Sequence, residues 1–92
     1  MGVILDHIGE AAMFEQLAEE SAELSHAALK AARAIRRENP TPVTVEEAIA
    51  NVREEYTDVF QCASHELGIH ADWKQVNRKE DRFVERWEES HG

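Results

Sequence analysis

Residues 10–38 read EAAMFEQLAEESAELSHAALKAARAIRRE, and this stretch decides the fold. Met13, Leu17, Leu24, Ala28, Ala31 and Ile35 recur at three-, four- and seven-residue steps. That spacing places them on one stripe of an α-helix. Ala, Glu, Leu and Arg dominate the segment, and all are good helix formers. Lys30, Arg33, Arg36 and Arg37 crowd its C-terminal turns, where positive charge suits the helix dipole. A long amphipathic helix from Glu10 to about Glu38 is therefore expected.

The flanking sequence extends this pattern. Residues 1–9 carry a short apolar run, Val3-Ile4-Leu5, and read as a loose arm or a brief turn of helix. Asn39-Pro40-Thr41-Pro42 breaks the long helix, because proline cannot continue it and pushes the preceding residue toward extended geometry. An inter-helix loop over 39–43 follows from this. Thr44 with Glu47 has the spacing of a capping box and should open a second helix. Ile49, Val52, Tyr56, Val59, Ala63 and Leu67 form its apolar stripe, and Gly68 is its expected stop. A third helix is expected from near Asp72 to Glu89, with Trp73, Val76, Phe83 and Trp87 on its apolar face. No stretch alternates as a strand does. The fold class is all-α: a hairpin of two long helices plus a third, in one domain spanning residues 1–92.

Bulk composition narrows the function. The chain has 92 residues and a formal net charge of −9. So acidic a chain lacks the basic footprint of a nucleic-acid-binding surface. A phosphate substrate remains compatible if divalent cations mediate the contact. The single cysteine, Cys62, excludes an intramolecular disulfide and a cysteine-rich zinc site. It lies one turn beyond Asp58 on the apolar side and reads as a small core residue. No apolar run is long enough to span a bilayer, and the N-terminus has no signal-peptide pattern, so a cytoplasmic protein is expected.

The most informative feature is a conflict between charge and periodicity. Glu20 lies between Leu17 and Leu24 on the stripe expected to be buried, and Glu23 borders the same face. On the second helix Glu55 lies between Val52 and Val59, and Asp58 follows three residues later. Each helix thus presents a carboxylate pair at i, i+3 on or beside its inward face. If the two helices are antiparallel neighbours, the pairs meet. Converging carboxylates repel and are costly to desolvate, and a hard divalent cation with oxygen ligands would compensate. The simpler alternative is a pair of solvated acidic faces, which is how Glu19 and Glu54 are read.

Leu17-Ala18-Glu19-Glu20-Ser21-Ala22-Glu23-Leu24 resembles the Glu-Glu-x-x-Glu-Leu motif of the MazG-like all-α nucleotide pyrophosphohydrolases. Glu55-Tyr56-Thr57-Asp58 is similar to their Glu-x-x-Asp motif, and Lys74-Gln75-Val76-Asn77-Arg78 to the Lys-x-x-Asn-(Lys/Arg) stretch that follows in many members. Three motifs in order cover about Leu17 to Arg82. The resemblance implies a homodimer or homotetramer with a four-helix core completed between subunits. It also implies magnesium-dependent hydrolysis of (deoxy)nucleoside triphosphates to the monophosphate and pyrophosphate, with manganese as a substitute metal. By motif matching, Glu20, Glu23, Glu55 and Asp58 would hold the metal, and Lys74, Asn77 and Arg78 would face the nucleotide. A carboxylate near the metal can accept a proton from the attacking water, and Glu20 and Glu23 are the candidates. The chain departs from the pattern in its long spacer, residues 24–54, and in having only Phe14 as an aromatic before the first motif.

Other readings compete. Glu23-x-x-His26 matches half of a di-iron bundle element, but Gln61 stands where the second helix would need its histidine. His65 and His70 read as surface residues, and Trp73, Phe83 and Trp87 as core or subunit-packing residues. A non-catalytic helical oligomerisation or antitoxin-like module, or a phosphoribosyl-ATP pyrophosphohydrolase, would share the acidic helices.

Overall fold

The computed structural model describes residues 2–38 and 43–92. Four α-helices follow one another: α1 (Val3–Ile8), α2 (Glu10–Arg36), α3 (Val45–Phe60) and α4 (Trp73–His91), with a π-helical turn (Gln61–Glu66) continuing α3. The described residues contain no strand, and no helix is long and apolar enough to cross a membrane. Of the loop expected at 39–43, all but Val43 lies outside the described residues.

Local chemistry sets the helix ends. The backbone N–H of Glu38 donates to the Arg33 carbonyl at 2.9 Å, and that of Arg37 to the Ala34 carbonyl at 3.2 Å. This pair of bonds is a Schellman closure, with Arg37 in the left-handed region at φ 60°. The long helix therefore stops before the prolines are reached. Thr44 caps α3 by accepting the Glu47 N–H at 3.0 Å, as its spacing implies. Asp72 caps α4 by accepting from the backbone N–H groups of Lys74 and Gln75. At the far end of α3 the backbone widens into the π turn and leaves through Gly68, whose φ of 68° suits a residue without a Cβ.

α2 and α3 form the antiparallel hairpin that carries the structure. Met13 and Glu20 of α2 share a hollow with Cys62 and Asp58, whereas Glu23 and Ala27 share another with Glu55 and Asn51. Residue numbers thus rise on one helix as they fall on the other. The buried apolar residues are Met13, Ala27, Ala31, Ala48 and Cys62. Small side chains at this contact let the helix backbones approach closely. Two of the large side chains expected inside turn outward: Ile35 is 59% exposed and Tyr56 56%. This corrects the expected stripes, because Ala28, Ile35, Ile49 and Tyr56 are exposed while Ala27 and Ala48 are buried. Met13 and Ala31 keep their expected burial and Leu17, Leu24, Val52, Val59, Ala63 and Leu67 are half-buried, so each inward face is the expected one shifted only in part toward Ala27 and Ala48.

α1 is held down by a single buried carboxyl. Glu66, on the π turn, is only 2% exposed. Its Oε1 accepts the Leu5 N–H at 2.8 Å and its Oε2 accepts from Gln61 Nε2 at 2.7 Å. The first bond satisfies an N–H at the start of α1 that has no partner within its own helix. Gly2 packs so closely that any Cβ there would overlap the Glu66 carboxyl. Gly9, at φ 89°, turns the chain from α1 into α2.

α4 packs against no other helix among the described residues. Trp73, Val76, Phe83 and Trp87 are 71, 44, 64 and 54% exposed, so within one chain they form no core. Their rings stack along the helix instead, Phe83 on Trp87 and Trp87 on His91.

Met13 is fully buried at the α1–α2–π-turn junction, so truncating it should leave a cavity. Met13→Ala is expected to lower the unfolding free energy by about 2–5 kcal/mol, and Ile35→Ala by less than about 0.5 kcal/mol. Urea denaturation checks both. Equal midpoint shifts for the two variants would contradict this placement of the core.

Candidate metal centre

The hairpin brings three of the four acidic residues singled out in the sequence to one place. Glu20, Glu23 and Glu55 each offer a carboxylate oxygen, and these oxygens all lie within 4.8 Å of one another. Glu20 and Glu55 are half-buried and Glu23 is exposed. The long spacer does not disturb the meeting of the motifs, because α2 and α3 pair along their length on either side of it.

The local hydrogen bonding is incomplete. Gln16 Nε2 donates to Glu20 Oε1 at 2.9 Å. The other oxygen of that carboxylate, Glu20 Oε2, is buried without a hydrogen-bond partner among the described residues, and so is Glu55 Oε2. Buried polar atoms are ordinarily partnered, and two orphaned carboxylate oxygens in one cluster suit a cation better than a neighbouring side chain. Oxygen-only donors match a hard ion such as magnesium. The residues therefore fit the metal that the sequence motifs imply.

Electrostatics agree with the geometry. Removal from water is the main cause of an upward shift in the Glu55 carboxyl, followed by the charge of Glu23, a hydrogen bond with Glu23, and the charges of Asp58 and Glu20. Asp58 is exposed and stands outside the three-residue cluster, although it lines a hollow with Glu20 and its charge is felt by Glu55. The Cys62 thiol is pushed up by burial and then by Glu20, Asp58 and Glu66, which keeps it protonated and unreactive.

Lys74, Asn77 and Arg78 are not brought to the carboxylates within one chain. They are exposed on α4, and Arg78 shares a shallow hollow with Gln75, Lys79 and Arg82. His65 and His70 are exposed, with Ser64 Oγ and His70 Nδ1 hydrogen-bonded at 2.8 Å.

The structure adds residues that the sequence did not single out as site residues. A hollow of about 220 Å³ beside the cluster is lined by Glu23, His26, Ala27, Lys30, Asn51 and Glu55. Lys30, which reads as one more cation at a helix C-terminus, is half-buried there, two turns from Glu23 on the same face. Asn51 lies one turn before Glu55 and is also half-buried. Their spacing from the motif carboxylates was the available signal. Glu66, the clasp on α1, carried none. No protein-family model, no curated protein and no solved structure matches this chain.

The raised Glu55 carboxyl gives a pH test with a definite sign. A carboxyl whose folded pKa lies above its unfolded value favours folding while protonated and loses that contribution as pH rises through the folded pKa. Glu55→Gln removes the charge that causes the loss. In metal-free buffer this variant should therefore melt above wild type at pH 7, with the difference shrinking as pH falls below the ordinary glutamate range. Thermal melting by circular dichroism across that pH range checks it. A difference that grows toward acid pH would contradict the crowding of these carboxylates.

Proposed function

We propose that the cluster holds a divalent cation, magnesium above all, and that the chain hydrolyses nucleoside triphosphates to the monophosphate and pyrophosphate. The observation that carries this reading is the pair of orphaned oxygens, Glu20 Oε2 and Glu55 Oε2, inside a cluster of three carboxylates. The order and spacing of the motifs at Glu20, Glu23, Glu55 and Asp58 support the same chemistry.

Glu20, Glu23 and Glu55 would hold the ion, with Asp58 at the edge of the site. When bound, magnesium supplies charge neutralisation for the phosphate oxygens and fixes their orientation. The protein's own groups do the rest. Glu20 or Glu23 accepts the proton of a water that attacks the α-phosphorus. The bond from that phosphorus to the bridging oxygen breaks, and pyrophosphate leaves with that oxygen. Lys30, beside Glu23, supplies positive charge close to the developing negative charge.

The same reading gives α4 a role. Lys74, Asn77 and Arg78 reach a nucleotide only when α4 packs on a hairpin, and among the described residues no helix covers its apolar face. Among the described residues five apolar side chains are buried, a small core for a chain of this length. A homodimer or homotetramer, in which α4 and the outward faces of the hairpin bury one another, meets both needs. The exposed aromatic face of α4 equally favours a second reading, a helical interaction module without catalysis, which would be indifferent to magnesium.

Pyrophosphate release across a panel of nucleoside triphosphates, with and without magnesium, separates the two readings. Wild type is expected to turn over at least one nucleotide only with magnesium. Glu20→Gln and Asp58→Asn should keep their helical circular dichroism but lose at least about tenfold in turnover, and Glu20→Gln should lose part of the rise in melting temperature that magnesium gives wild type. Wild type without turnover on any nucleotide, or Glu20→Gln with an undiminished magnesium response, would overturn the assignment.

A further inference from the structure

A second hollow adjoins the carboxylate cluster. It has a volume of about 540 Å³, within the range of small-molecule sites, and lies where α1 and α2 meet the π turn. Ile4, Ile8 and Met13 give it apolar walls, and Gln16, Gln61 and Cys62 supply the neighbouring polar edge. Glu20 lines this hollow and also belongs to the carboxylate cluster, so the two spaces adjoin through one side chain.

Three features mark the hollow as a built site. Its lining sets the apolar Ile4, Ile8 and Met13 against the polar Gln16, Glu20, Asp58 and Gln61, so one wall is apolar and the other offers convergent polar groups. The roof is fixed, because the bond from the Leu5 N–H to buried Glu66 ties α1 to the π turn. The π turn itself is a rare departure from α geometry, of a kind frequent at functional sites, and it supplies Gln61 and Cys62 to the lining.

We propose that this hollow receives the base of the nucleotide whose phosphates bind at the carboxylate cluster, with Ile4 and Ile8 as specificity-determining residues, and that it favours bases bearing an exocyclic amino group. The inference rests on the triphosphate reading of the cluster. The preference follows from how the amides are held. Gln16 Nε2 donates to Glu20 and Gln61 Nε2 donates to Glu66, so each NH₂ group is turned toward a carboxyl oxygen. Each amide then has its carbonyl oxygen and one remaining N–H to offer a ligand. Asp58 adds further acceptors to the lining. Acceptors therefore outnumber donors, which matches the amino edges of adenine, cytosine and guanine better than the carbonyl edges of uracil and thymine.

The test uses the full chain in two measurements. Adenosine, cytidine and uridine monophosphates are titrated with magnesium present into ¹⁵N-labelled protein, and the backbone amides are followed by NMR. Shifts should centre on Ile4, Ile8, Met13 and Cys62, and uridine monophosphate should bind about tenfold more weakly than the other two. In parallel, Ile4→Ala/Ile8→Ala, checked for unchanged helical content, should raise KM for the triphosphates about tenfold with kcat within about twofold of wild type. Shifts centred on Lys74, Asn77 and Arg78, or equal binding of all three monophosphates, would overturn the proposal. Turnover with an unperturbed hollow would also overturn it while sparing the catalytic reading. Base-dependent shifts in the hollow without turnover on any nucleotide would support the subsite and remove the hydrolase.

Discussion

Like charges in a half-buried site repel, and the hairpin of α2 and α3 holds carboxylate oxygens of Glu20, Glu23 and Glu55 within 4.8 Å of one another. Removal from water, and after it the charge of Glu23, push the Glu55 carboxyl up. A fold with so few buried apolar residues has little stability with which to offset such crowding. The arrangement persists because the helix contact that creates it is made of small residues. Ala27, Ala31 and Ala48 bring the backbones together, and close approach brings the carboxylates together with them. The packing that forms the core and the geometry that crowds the carboxylates are thus one feature.

Around this contact the molecule is layered by how firmly each part is held. The hairpin is fixed by its caps at Thr44 and Arg37 and by Met13. α1 is fixed by the Glu66 clasp and closes one end of the cluster into a lined hollow. α4 is a well-capped amphipathic helix that packs against no other helix among the described residues. A single chain is therefore finished around the carboxylates and unfinished at α4, which carries the cations and the amide of the third motif.

Much of this was legible in the sequence because it depends on local chemistry. The two long helices and α4 follow from periodicity, and the caps at Thr44 and Asp72 from side chains that reach only two or three residues ahead. Glu20 and Glu55 stood out because a charge on an apolar stripe contradicts the stripe. What escaped depends on distant partners. Glu66 is one more acidic residue in an acidic chain until Leu5, 61 positions away, donates to it. The partial shift that buries Ala27 and Ala48 while exposing Ile35 and Tyr56 is set by how closely two helices pack, which neither helix encodes alone. Lys30 had a satisfactory local reading as a helix-dipole cation, and only the neighbouring helix turns it into a lining residue of the site.

A single cation site at these carboxylates differs from a collection of solvated charges in gathering one ion at one place. Manganese is a paramagnetic substitute for magnesium, and it broadens the NMR signals of nuclei near the place where it binds. Substoichiometric manganese added to the ¹⁵N-labelled full chain should broaden the amides around Glu20, Glu23 and Glu55 first, and magnesium should reverse the effect by competition. Broadening spread evenly over exposed acidic residues such as Glu46, Glu47, Glu88 and Glu89, with no preference for the hairpin cluster, would contradict the account.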